Sequence, residues 1–253
     1  MKLLKPELLI YSDYLKMSRG AAFFVFKELE KKLSQKFVLG LATGATQIGF
    51  RKEFLKLLKI KKPSLKNLFL VNLDEYWPIK KGDRNSYFYE MKVNFWQPLE
   101  ELKLGFSRKR AFIPDGESKN PKIAAKNYEK LLTKLNGVDL QMLGIGVEGH
   151  IGFNEKGSSS FSRTHLTNLA PSTIEANKAF FHQKGKAVPE KAITMGIATV
   201  LEAKKILLLA NGKKKQSVIK KLLQTKPIKD LPASFLKLHP DVTIMLDKEA
   251  YDK

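Results

Sequence analysis

Apolar residues recur along the chain in two rhythms, and the changes from one to the other mark its elements. Residues 18–33 place Ala22, Val25, Phe26, Leu29 and Leu33 at helical spacing and end in Lys31 and Lys32, the sign favoured at a helix carboxyl end. Residues 37–42 form a short continuous apolar run, the mark of a strand buried on both faces. Thr43, Gly44, Ala45 and Thr46 separate this run from an amphipathic helix reaching about residue 58. A second run, 68–73, ends at Asp74, Glu75, Tyr76 and Trp77. Asn85 or Ser86 can cap a helix over 85–94, residues 112–116 read as a turn, and 121–135 returns to helical period. A third run, 138–143, leads into Gly144, Gly146, Gly149 and Gly152, which forbid any regular element for about ten residues. Residues 157–165 are polar and serine-rich, and 172–181 reads as a short helix capped by Ser172 and Thr173. Residues 193–200 are apolar again, 206–210 and 242–246 are further strands, and Lys213, Lys214 and Lys215 open the helix between those two. The alternation predicts an α/β fold with one domain over residues 1–253: a single doubly wound, mostly parallel sheet with helices on both faces, Rossmann-like. The polar segment at about 157–187 is expected to act as a lid.

Composition narrows the chemistry. There is no cysteine, which excludes disulfides, thiolate nucleophiles and Cys-ligated metal sites. The amino end, residues 1–14, has Pro6, Glu7 and Asp13 inside a broken apolar segment and makes a poor signal peptide. No apolar run reaches membrane-spanning length, so a soluble, cytoplasmic protein without membrane contact is expected. The balance of 46 basic and 25 acidic residues gives a net charge of +21. Those lysines are spread along the chain rather than gathered with aromatics into a nucleic-acid module, so no nucleic-acid partner is expected.

The candidate chemistry gathers where strands end. The glycine-rich loop carries Glu148, His150, Asn154 and Glu155, so an imidazole lies between carboxylates where a ligand can approach the backbone. Thr43, Gly44, Ala45 and Thr46, between a strand and a helix, offer N–H groups and hydroxyls to an anion, phosphate or carboxylate. The turn lacks the lysine of a P-loop, and an ordinary capped helix start has the same composition. Asp74, just past a strand end, is a candidate base, although it could equally cap the next element or pair with a lysine. The three lysines at 213–215 either hold an anion or form a solvated basic turn.

Five stretches in one order carry a family resemblance: Leu39-Gly-Leu-Ala-Thr-Gly-Ala-Thr46, Val71-Asn-Leu-Asp-Glu-Tyr76, Leu143-Gly-Ile-Gly-Val-Glu-Gly-His-Ile-Gly-Phe-Asn-Glu155, Ser162-Arg-Thr-His165 and Pro232-Ala-Ser-Phe-Leu-Lys-Leu-His-Pro240. From about residue 38 to 250 the chain resembles the glucosamine-6-phosphate deaminases of the glucosamine/galactosamine-6-phosphate isomerase family. Its Phe153, Asn154 and Glu155 distinguish it from the 6-phosphogluconolactonases, which share the fold and a Gly-His loop. The resemblance implies that Asp74 carries a proton between C2 and C1, that His150 opens the pyranose ring, and that Glu155 orients His150. It implies that residues 43–46 and Lys215 hold the 6-phosphate. The implied partner is a phosphorylated amino sugar, with no cofactor and no metal, and a homo-oligomer is open.

Several positions depart from the family pattern. Glu148 stands where relatives have Asp or Asn, and Gln47 where they usually have Pro. A phosphate-binding Arg is replaced by Ala179, leaving the neighbouring Lys178 to substitute. His165 and Thr167 occupy the places of an Arg and a Lys of the regulatory site in allosteric relatives, so an unregulated enzyme is expected. Alternative readings are galactosamine-6-phosphate deaminase, 6-phosphogluconolactonase, or a sugar-phosphate-binding relative with impaired catalysis.

Overall fold

Strand residues here are buried alternately on two opposite faces, so each central strand reads as an unbroken apolar run. The computed structural model describes residues 5–178, 181 and 187–251. In chain order these form β1 (Glu7–Tyr11), α1 (Tyr14–Glu30), β2 (Phe37–Leu41), α2 (Ala45–Lys61), β3 (Leu68–Asn72), β4 (Asp74–Trp77) and α3 (Tyr87–Met91). A π-helical turn joins α3 to α4 (Gln97–Glu101), and β5 (Ala111–Phe112), α5 (Pro121–Lys134) and β6 (Leu140–Gly144) follow. The last part holds β7 (His165–Asn168), α6 (Pro171–Lys178), β8 (Lys191–Thr194), α7 (Ile197–Leu201), β9 (Ile206–Ala210), α8 (Gln216–Gln224) and β10 (Val242–Asp247).

Among the described residues, seven strands make one sheet in the order β1-β10-β9-β6-β2-β3-β5, and every pairing in it is parallel. Val38, Val71, Leu143, Leu208 and Ile244 face one core, whereas Leu39, Leu70, Met142, Leu207 and Met245 face the other. The first core is completed by Tyr128 and Leu132 of α5 and Val218 and Leu222 of α8, the second by α1 and α2. Of the two caps expected for α3 the structure uses Ser86, which accepts from the Tyr89 N–H; at α5 Asn120 accepts from the Lys122 and Ile123 N–H groups. The expected doubly wound parallel sheet is therefore present.

Two features differ from the sequence expectation. Residues 7–11, inside the stretch read only as a broken apolar segment, form an edge strand paired with β10 alone. Asp74 lies just past the end of β3 as expected, but a strand not foreseen there begins with it: β4, which pairs with β8 in a small antiparallel sheet ordered β4-β8-β7. Leu73 links the two sheets, donating its N–H to Leu41 O and accepting from the Met195 N–H. The segment expected to be a lid supplies β7 and α6, and its residues 179, 180 and 182–186 lie outside the described residues. Among the described residues no helix is long and apolar enough to cross a membrane.

Candidate functional site

Chain order reverses between β2 and β6: β2 continues outward through β3, whereas β6 continues the other way through β9 and β10. In a parallel sheet the loops leaving such a switch point diverge and open a crevice at the carboxyl ends of the strands. The crevice is a cavity of about 270 Å³. Four strand ends line it: residues 43–46 after β2, Asp74 after β3, the glycine loop after β6, and Lys215 beyond β9.

Glycines set the loop geometry. A Cβ on Gly146 would lie 2.1 Å from Cε1 of His150, so only glycine lets the imidazole lie flat against the loop. Gly152, at φ +56°, packs so that a Cβ would stand 2.9 Å from Thr194 Oγ1 and 3.3 Å from Asp74 Oδ2. The loop bearing His150 therefore rests directly against the aspartate. From behind, the Ala233 N–H donates to Gly149 O, and Leu231 fills the space a Cβ of Gly149 would need. This is the structural role of the stretch at 232–240, whose His239 ring bridges Ala203 O and the Asp241 N–H. The stretch at 162–165 is likewise structural: Arg163 ties Glu129 of α5 to Glu202.

Asp74 is 5% exposed, and among the described residues no donor or cation compensates its carboxylate. Burial pushes its pKa up to about 7. Its neighbour Glu75 is equally buried, and burial raises it too, but it accepts the N–H groups of Tyr76, Tyr87 and Phe88 at 2.8–2.9 Å. Glu75 is thus the anchor of α3, and Asp74 is the carboxylate left free to move a proton.

His150 is partly exposed to the cavity, with Nδ1 3.2 Å from Glu155 Oε2 at an angle off the hydrogen-bond optimum. Burial alone would raise the Glu155 carboxyl; His150, the Thr173 hydroxyl and the Ala170 N–H outweigh it and hold the group below the ordinary glutamate value. Glu148, exposed at the cavity wall, accepts the Ser172 hydroxyl at 2.9 Å.

At the other end, Gly44 at φ +97° turns the chain into α2 and leaves the first N–H groups of that helix facing the cavity. Thr46 Oγ1 donates to Asn211 Oδ1 at 2.6 Å, so its own offering to a ligand is the backbone N–H. Lys215 has no acidic partner among the described residues, and burial lowers its pKa. An uncompensated cation beside a helix amino end is a site for an anion.

The structure brings Thr43, Gly44, Ala45, Thr46, Asp74, Glu148, His150 and Lys215 to one cavity and sets Glu155 directly behind His150. It does not bring Lys178 there: that ammonium pairs with Glu175 on the exposed side of α6, while Asn177 faces the cavity. Ala179 lies outside the described residues. Gln47 is 1% exposed, and its side-chain amide donates to Leu143 O, bracing α2 against β6 where relatives usually carry proline. Three contributors escaped the sequence reading. Tyr87 lines the cavity with its hydroxyl on Tyr76, and Ser172 and Thr173, read as helix caps, instead direct their hydroxyls to the loop carboxylates. Nothing in a cap pattern says where else a hydroxyl points.

Residues 13–245 match the family model described as glucosamine-6-phosphate isomerases/6-phosphogluconolactonase. The chain is 40% identical over 247 residues to the glucosamine-6-phosphate deaminase of Clostridium botulinum (strain Kyoto / Type A2), covering 98% of each chain. It is also 40% identical to that of Thermoanaerobacter pseudethanolicus, covering 96% of this chain and 93% of the relative. A solved structure of a monomeric glucosamine-6-phosphate deaminase superposes with a TM-score of 0.91 at 40% identity, over 96% of this chain and 98% of that one. A 6-phosphogluconolactonase from Trypanosoma cruzi shares the fold at a TM-score of 0.74 and 20% identity, over 98% of this chain and 97% of that one.

Proposed function

The chain belongs to the glucosamine-6-phosphate isomerase/6-phosphogluconolactonase family, and from that premise we propose that it is a glucosamine-6-phosphate deaminase, converting glucosamine 6-phosphate and water to fructose 6-phosphate and ammonia. One observation carries the reading: Asp74, His150 and an anion-binding end built from residues 43–46 and Lys215 line the same cavity.

The 6-phosphate docks on the amino end of α2, the Thr43 hydroxyl and Lys215. Gripping the substrate at a charge remote from the chemistry orients C1 and C2 at the opposite end. His150, with Nδ1 turned to Glu155, exchanges a proton with the ring oxygen through Nε2 and opens the pyranose. Asp74, with a pKa raised to about 7 and so ionised in about half of the molecules at neutral pH, takes in that form the C2 proton that the adjacent carbonyl has acidified and returns it to C1. The C2 amine is then an imine, which water hydrolyses to the ketone and ammonia. Glu148 supplies negative charge at the cavity wall. We take the chain to act as one cytoplasmic domain, with the segment at about 157–187 closing over the sugar.

The test is direct. Purified protein with glucosamine 6-phosphate at roughly millimolar concentration should release ammonia and fructose 6-phosphate in equal amounts; release of neither refutes the reading. The likeness to the T. cruzi lactonase extends to the fold alone, and lactone hydrolysis requires no base at Asp74. Asp74→Asn should therefore abolish deamination, and unchanged activity in that variant would count against the assigned base.

A further inference from the structure

Two carboxylates flank His150 in the glycine loop, and apart from the contact of Glu155 with His150 itself the polar partners of both side chains among the described residues come from residues 170–173. Glu155 turns Oε1 to Thr173 Oγ1 at 2.6 Å, with the Ala170 N–H at 3.4 Å, which leaves Oε2 facing His150 Nδ1. Glu148 receives the hydroxyl of Ser172. Ser172 and Thr173 are consecutive residues in the first turn of α6, so one helical turn grips both acids. Thr173 is 5% exposed and β-branched, so its hydroxyl is confined to few directions. Among the described residues no other polar group reaches His150 Nδ1, and the approach of Glu155 to it is already off the best angle. A small rotation of the Glu155 carboxylate would therefore release the imidazole altogether.

We propose that Thr173 is a positioning residue: its hydroxyl fixes the Glu155 carboxylate so that the remaining oxygen holds His150 as the Nδ1–H tautomer, with Nε2 open to the substrate. The proposal rests on the deaminase reading and deepens it. Ring opening needs an imidazole nitrogen in one defined protonation state at one place, and that state is set by a hydroxyl on α6 rather than by the loop that carries the histidine. Proton transfer at the ring oxygen is in this way coupled to the seating of α6.

Thr173→Val keeps the shape and removes the donor, Thr173→Ala removes it without demanding space, and Thr173→Ser keeps it. In the Val and Ala variants kcat should fall about tenfold with KM within about twofold, and Ser should recover most of the loss. Long-range 1H–15N spectra of the imidazole should show a single Nδ1–H tautomer for His150 in the parent protein and in Thr173→Ser, and a mixture in Val and Ala. Parent-like kcat and tautomer in both hydroxyl-free variants would overturn the proposal, as would a Ser variant as impaired as Val. If the parent protein does not deaminate glucosamine 6-phosphate, the functional reading fails, while the imidazole spectra still decide whether Thr173 orders His150.

Discussion

Replacing Asp74 by asparagine separates what the site needs from what the fold would prefer. Burial without a compensating partner raises the Asp74 carboxyl from 3.8 to about 7, so the native state holds the proton more tightly than the unfolded chain does. Below about pH 4 the residue is neutral in both states and costs nothing. Between about pH 4 and 7 the unfolded chain ionises first, and stability falls as pH rises; above about 7 the loss is complete. A displacement of about three pH units corresponds to about 4 kcal/mol. Asparagine does not titrate, so the stability of Asp74→Asn relative to the parent should climb by up to that amount between about pH 4 and 8. For a chain of this size that is a relative gain in Tm on the order of 10 °C. Thermal or urea unfolding at several pH values in one buffer series gives the double difference, from which any packing change common to all pH values cancels. Deamination should fall by about three orders of magnitude over the same series, and the acid limb of kcat in the parent should lie near pH 7. A variant whose stability relative to the parent is flat with pH, or a parent whose acid limb lies near pH 4, would refute the picture of a bare buried base.

Other substitutions examine the remaining parts of the cavity. Lys215→Met should raise KM for glucosamine 6-phosphate about tenfold through loss of a charge-assisted contact, whereas Lys178→Met should leave steady-state constants within about twofold; the reverse ranking would move the phosphate grip to α6. Gly146→Ala puts a methyl on the His150 imidazole, so kcat should drop about a hundredfold with an unchanged far-UV circular dichroism spectrum. If the +21 charge draws in anionic sugars, kcat/KM should fall severalfold as ionic strength rises from about 0.01 to about 0.1 M. Insensitivity to salt would assign the lysine excess to solvation alone.

How much of this was legible in the sequence depended on whether each feature is local. The runs at 37–42, 68–73 and 206–210 announce strands because a parallel strand covered on both faces must be apolar throughout. The edge strand β1 gave no such signal: one side of it is solvent, and Glu7 and Pro6 break the pattern. The three strands of the small sheet are each four residues long, and their pairing is decided by partners some 20 to 120 residues away, beyond any local rhythm. The expectation for Lys178 rests only on its nearness in sequence to Ala179. Consecutive helical residues point about 100° apart, so with Asn177 on the cavity its neighbour turns to solvent and to Glu175.

The adjacent acids Asp74 and Glu75 show why composition alone could not choose a base. Both are buried, both follow the same strand, and desolvation raises both. What divides them is strand alternation: as members of β4 they point to opposite faces of the small sheet. Glu75 takes the Tyr76 N–H of its own strand and the Tyr87 and Phe88 N–H groups at the amino end of α3, which tie Tyr87 over the cavity; these bonds oppose burial without offsetting it, and its pKa still rises to about 8. Asp74 meets the bare backbone of Gly152 and the open cavity, where none of the described residues stabilises its charge. A carboxylate so placed is a poor contributor to stability at neutral pH, and what sets it apart from Glu75, which burial raises as well, is that its oxygens are not taken up by backbone N–H groups among the described residues. The short antiparallel sheet, which no sequence rhythm announced, thus ties one acid to the backbone of α3 and turns its neighbour to the cavity, where the proposed reaction needs a base.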